Sequence, residues 1–162
     1  MERHVSSCSF QFTWHNVPER EKRKHASPSE PVASPTMMGG HFAIDRHTFE
    51  RLGTYDPGFD IWGCENLELA FKAWMCGGSV EIVPCSHVGH VFRSFSPYKW
   101  REGVNVYKRN AIRLAQVWMD DYKKYYFEKI KFQLVSQKRF RINQRWLNQF
   151  SVKINPMKSN FG

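Results

Sequence analysis

Three short constellations in this 162-residue chain have the residue types and spacing for chemistry. Gly39–Gly40 sets two residues without a Cβ in succession, so a ligand can approach the backbone there; a tight bend at a strand start uses the same pair. Trp62-Gly63-Cys64-Glu65-Asn66 brings a carboxylate and an amide to the mouth of a predicted helix. Such groups cap the free N–H groups of a first turn, or point outward to fix sugar hydroxyls while Trp62 supplies an apolar face. His87-Val88-Gly89-His90-Val91-Phe92-Arg93 offers two imidazoles. Three residues apart on a strand they point to opposite faces, so at most one is a metal ligand and its companions come from elsewhere. Arg93 has the planar fork to clamp a diphosphate where that strand gives way to a loop. Asp45-Arg46-His47 has an Asp-x-His spacing that can present a metal with two ligands, but Asp45 sits where a helix cap is expected and is read as a cap.

The elements that must position these groups follow from periodicity and turn chemistry. Phe10–Trp14 is a short alternating apolar run, and Pro18–Pro35, with four prolines and a charge run, reads as an irregular solvated loop. Met37–Asp45 reads as a glycine pair leading into a strand of about five residues. Asp45 caps a short segment Arg46–Leu52 ended by Gly53, and Pro57–Gly58 reverses the chain. Leu67, Ala70, Phe71 and Trp74 form one apolar helical stripe, with Glu68 and Lys72 paired four apart on another face. Gly77–Gly78 end that helix; Ser79–Pro84 and His87–Phe92 read as strands. A long final helix is predicted from about Val104 to Lys129, with Ile112, Ala115, Met119, Tyr122 and Tyr126 as its packing seam. Strand, helix, strand, strand, long helix is the order of an α/β domain whose sheet continues outside this sequence.

Bulk properties allow one domain with a real core: 41% hydrophobic and 15% aromatic residues, including six Trp and thirteen Phe, need burial. No apolar run is long enough to span a bilayer, and the N-terminus has no signal-peptide core. The net charge of +9 is concentrated at one end. Eight of the 24 Lys and Arg lie in 129–162, which has no Asp or Glu, leaving 16 bases against 15 acids elsewhere. A basic tail can bind nucleic acid through counterion release, but this one lacks helical periodicity and reads as a solvated, loosely ordered tail; no specific nucleic-acid partner is expected. Cys8, Cys64, Cys76 and Cys85 contain no CxxC pair, which removes zinc-finger and redox motifs.

In register, WGCENLE, CGG, GHVFR and VWMDDYK resemble the catalytic domain of the polypeptide N-acetylgalactosaminyltransferases, and the similarity runs from about Phe10 to Ile130. The resemblance implies an α/β fold, the second half of a GT-A nucleotide-diphospho-sugar transferase domain. It implies a retaining, Mn²⁺-dependent enzyme moving N-acetylgalactosamine from UDP-GalNAc to Ser or Thr of polypeptide acceptors, in the Golgi. By the match, Trp62, Glu65 and Asn66 resemble the donor-sugar wall, and Gly40 a close backbone contact to that sugar. Arg93 and Tyr98 resemble members of the loop that closes over UDP, and His90 the single His metal ligand beyond an Asp-x-His pair.

The departures set further expectations. The chain divides into residues 1–9 without pattern, 10–130 as the late half of the catalytic domain, and 131–162 as the basic tail. Uridine-binding strands, their Asp-x-His motif, a membrane anchor and a lectin domain are not found in it. Cys64 replaces the family's usual glycine and is expected to crowd the sugar site; Cys76 and Cys85 match disulfide cysteines and are expected unpaired. Metal held by His90 alone would bind weakly, so the chain is expected to be inactive by itself. A non-catalytic relative acting as a binding or regulatory protein is the second reading.

Overall fold

The computed structural model describes Phe10 and residues 16–131. The Phe10–Trp14 run and the tail from 132 onward therefore fall outside the described residues, apart from Phe10 itself.

Six elements precede the last helices in chain order: α1 (Glu19–Lys22), β1 (Val32–Ala33), α2 (Arg46–Arg51), α3 (Glu65–Met75), β2 (Glu81–Ile82) and α4 (Val106–Trp118). A 3-10 turn at Asp120–Tyr122 leads into α5 (Lys123–Lys129). β1 and β2 pair antiparallel, Val32 opposite Ile82, and Ser34 N–H extends the ladder to the Val80 carbonyl at 2.8 Å. The segment expected to be an irregular loop thus holds a helical turn and a strand, because Val32 finds a cross-strand partner far away in sequence.

Three helix boundaries are set by local caps and stops, the first two of them predicted. Asp45 accepts from Thr48 N–H at 2.8 Å and starts α2, as its sequence position required. The Leu67 stripe does form α3, which ends at Cys76–Gly77 with Gly77 at φ +82. Asn105 caps α4 through Lys108 N–H at 2.9 Å.

Four strand and helix expectations are corrected. Met37–Asp45 has no strand, since among the described residues no neighbouring chain pairs with it. In Ser79–Pro84 only Glu81–Ile82 is paired, and His87–Phe92 runs as exposed irregular chain. The long final helix breaks at Asp120, whose φ of +42 no helix accommodates, so Tyr122 leaves the seam and is exposed while Tyr126 returns to it. Glu68 and Lys72 do pair four apart, and both side chains of the ion pair are fully buried.

The core lies where α3, α4 and α5 meet: Leu67 from α3, Ala111, Ile112, Leu114, Ala115 and Trp118 from α4, and Tyr126 and Phe127 from α5, with Cys64 at its edge. Beside it, polar groups tie the turn after α2 to the helices. Lys72 Nζ donates to the Thr54 carbonyl at 2.6 Å, and Arg113 forks onto both oxygens of Asp56 at 2.6 and 2.9 Å. Asp60 meets Arg109 at 2.9 Å and Arg101 at 3.1 Å. This strapping fixes residues 54–63, the segment that delivers Trp62 and Glu65 to the start of α3.

Candidate active site at the start of the third helix

The approach to α3 is built by Asn110. Its side chain is 1% exposed, accepts from Asp60 N–H at 2.9 Å, and donates to the carbonyls of Asp60, Gly63 and Trp62 at 2.8, 3.0 and 3.2 Å. An irregular turn cannot satisfy its own carbonyls, and this one amide does so. Asn110 was not singled out in the sequence; its signal was an amide in the otherwise apolar helical repeat of α4.

The turn ends on two backbone specials. Gly63 has φ +107, and an added Cβ would lie 2.6 Å from the Tyr107 ring, so glycine is required there for both reasons. Cys64 follows at φ +73 without glycine's freedom. Its side chain points into the helical core and is 2% exposed. The expected crowding of the sugar site by Cys64 is therefore not what the structure shows: the thiol packs inward among core side chains. Burial, with the Glu65 charge adding, pushes that thiol up to about 12. Burial likewise raises the neighbouring Tyr107 and Tyr126 phenols.

Glu65 and Asn66 open the helix. One oxygen of Glu65 accepts from Gly63 N–H at 2.8 Å, and Asn66 Nδ2 donates to the Met37 carbonyl at 2.7 Å. The Asn66 bond draws the glycine pair onto the helix start, where a Cβ on Gly39 would lie 3.1 Å from Asn66 Cβ and 3.5 Å from Glu65 Oε1. Gly39 is thus the residue of close approach, and Gly40 faces open space, with no described atom within 4 Å of an added Cβ. Glu65 and Asn66 thus stand against Gly39, with Gly40 next along the chain and Trp62 three residues before Glu65.

The aromatic side of this place is a chain of rings. Trp62, 48% exposed, lies 5.9 Å from Tyr107 and 6.4 Å from Trp100, and Trp100 lies 6.1 Å from Tyr98. Trp100, which the sequence reading passed over, connects Tyr98 to Trp62. Arg93 lies in the same exposed segment, 86–105.

His87 and His90 separate in role. His87 Nε2 pairs with the Pro84 carbonyl at 2.8 Å, three residues back, a local structural bond. The His90 ring lies 4.3 Å from Phe92 and 5.8 Å from His41. Among the described residues no group of three His, Cys, Asp or Glu is placed to hold a metal. Among the described residues, Cys64, Cys76 and Cys85 are free thiols.

Comparison with known proteins fits this geometry. Residues 21–96 match the family model described as N-terminal domain of galactosyltransferase. The chain is 70% identical over 125 residues to polypeptide N-acetylgalactosaminyltransferase 5 of Caenorhabditis elegans, covering 77% of this chain and 20% of that one. It is 69% identical over 122 residues to putative polypeptide N-acetylgalactosaminyltransferase 9 of Drosophila melanogaster, 75% of this chain and 19% of that one. A crystal structure of GalNAc-T7 with UDP, GalNAc and Mn²⁺ superposes with a TM-score of 0.82 at 36% identity, over 96% of this chain and 29% of that one. The fold is therefore part of a GT-A glycosyltransferase domain, helices packed beside a small sheet. Within that class the matched stretch belongs to the polypeptide N-acetylgalactosaminyltransferase family. The chain spans about a fifth of the length of these curated relatives.

Proposed function

We propose that this chain carries the donor-sugar side of a retaining, metal-dependent transferase site that moves N-acetylgalactosamine from UDP-GalNAc to Ser or Thr of polypeptides. The observation that carries the reading is the Asn66–Met37 bond, which sets the Gly39–Gly40 pair against Glu65 and Asn66 at the start of α3, beside a turn held by Asn110. In this reading the Glu65 carboxylate and Asn66 amide accept and donate to sugar hydroxyls, while Trp62 covers an apolar face of the ring. Glycine at 40 leaves room for the sugar against the backbone. Arg93 and Tyr98, on the exposed segment, close on the diphosphate, where the guanidinium offsets the charge that builds as the sugar–phosphate bond breaks.

His90 is the residue here that would hold Mn²⁺. Bound, the ion would neutralise charge on the leaving diphosphate. The donor set fits in part: His90 is exposed to receive it, and a second imidazole, His41, stands beside it. The Golgi lumen is the compartment proposed with this activity, on the family relationship alone.

Saturation-transfer NMR tests the reading on the whole chain, because it detects weak ligands. With UDP-GalNAc in millimolar excess, the N-acetyl methyl and ring protons of the sugar are expected to receive saturation, and Trp62→Ala and Asn66→Ala each to remove most of it. Saturation of the sugar that both variants leave unchanged would overturn the assignment.

A further inference from the structure

Among the described residues, His41 holds a second imidazole that the site does not explain. Its Nε2 is shielded from solvent and has no hydrogen-bond partner among the described residues. A buried imidazole nitrogen without a partner is costly, and native structures rarely leave one. The His90 ring lies beside the His41 ring, 5.8 Å away between centroids and inclined at 74°.

That separation is close to what one shared ion demands. A Zn–N bond of about 2.1 Å puts each ring centre roughly 3.2 Å from the metal, so two imidazoles on a tetrahedral ion stand about 5.2 Å apart. The remaining adjustment is about half an ångström. His90 can make it, since it lies on an exposed segment with only Phe92 against its ring. Gly40, next to His41, leaves open space beside the pair.

We propose that His41 and His90 together chelate a single divalent cation, with water or a ligand's oxygen atoms completing the coordination. The proposal rests on the reading of His90 as a metal ligand and adds His41 to it. Two neutral imidazoles give chelation but no charge, so the pair favours imidazole-seeking ions. Affinity is expected to rise from Mn²⁺ to Co²⁺ to Ni²⁺, with Zn²⁺ also above Mn²⁺.

The test is a titration of the full untagged chain with Zn²⁺ and separately with Mn²⁺, followed by NMR of the histidine ring nitrogens and by calorimetry. In the wild type the His41 and His90 rings are expected to shift together along one Zn²⁺ binding curve. His41→Leu and His90→Leu are each expected to weaken Zn²⁺ by about tenfold or more, and the double variant to weaken it further than either single one. If His90→Leu weakens Zn²⁺ and His41→Leu does not, the pair is wrong while His90 remains a ligand. If neither matters, both readings fall. Should His41→Leu fail to fold, the wild-type spectra decide: a His90 ring that shifts without His41 overturns the proposal.

Discussion

Cys64 holds a conformation that side chains with a Cβ avoid, at a cost of about 1–2 kcal/mol, and the core repays it by burying the sulfur. With the thiol pushed up to about 12, only about one molecule in ten thousand carries a thiolate at pH 8. In a Cys8→Ser background, an aromatic disulfide reagent is expected to titrate two thiols quickly, the exposed Cys76 and Cys85, and a third only with unfolding. Fast labelling of all three would mean that the start of α3 opens readily. The Glu68–Lys72 pair obeys the opposite logic, charge kept inside by mutual attraction. Burial raises the Glu68 carboxyl above its ordinary value, and the Lys72 ammonium opposes that shift. Lys72→Met removes the opposition, so the folded-state value rises further. A carboxyl raised on folding contributes stability that is present below its unfolded value and lost as pH climbs through the folded one. Lys72→Met is therefore expected to cost about 3–5 kcal/mol near neutrality, a deficit that shrinks as the solution is acidified toward the unfolded carboxyl range. Glu68→Leu/Lys72→Met should recover most of the loss; urea melts at several pH values measure both.

At the scale of elements, the functional turn is irregular chain tied down by side chains of α4. Asn110→Ala leaves three carbonyls and one N–H of a largely part-buried turn without their partner, and is expected to cost about 2–4 kcal/mol in a urea melt. Asn110→Asp keeps only the acceptor and should lose nearly as much. Gly58 probes the second strap. A Cβ there would come within 2.2 Å of the Arg113 guanidinium carbon, so Gly58→Ala must displace the fork from Asp56 and is expected to cost about 2 kcal/mol. In an Arg113→Met background the same change should cost little, and an additive result would show that the two are uncoupled. These straps explain what the sequence reveals and what it hides. α2 and α3 were legible because their caps, stripe and stops are local. The setting of Glu65 and Asn66 against the Gly39–Gly40 pair, beside the turn that carries Trp62, was legible only by resemblance, since the bonds that assemble it join residues 29 to 50 apart. Trp100 and His41 were hidden because nothing nearby in sequence distinguishes a ring bridge or an orphan imidazole from ordinary loop residues; the amide of Asn110 in an apolar repeat marks a buried polar contact but not the turn it clamps. The strands at 37–45 and 87–92 were predicted from alternation, yet a strand exists only where a partner pairs with it.

For the molecule as a whole, stability comes from the helical core, because among the described residues the sheet is one pair of two-residue strands and cannot stand alone. Much apolar surface of the described residues stays outside that core. An apolar cleft of about 460 Å³ opens between the 36–44 segment and the 79–88 segment, lined by Phe42, Ile44, Leu69, Ile82 and Val88 among others. Alongside it, Val91, Phe92 and Phe95 are 90, 86 and 74% exposed. Soluble monomers rarely leave such surface bare, and it drives self-association when nothing covers it. The isolated chain is therefore expected to bind a hydrophobic dye under native conditions and to sediment as larger species with rising concentration. Phe92 and Phe95 contribute nothing to the helical core, so Phe92→Ser/Phe95→Ser should reduce both signals while leaving Tm within about 2 °C of the parent. Dye binding that fell together with Tm would place these rings in the folded core after all. Unchanged association would move the sticky surface to the cleft, where Phe42→Ser is the next substitution to measure.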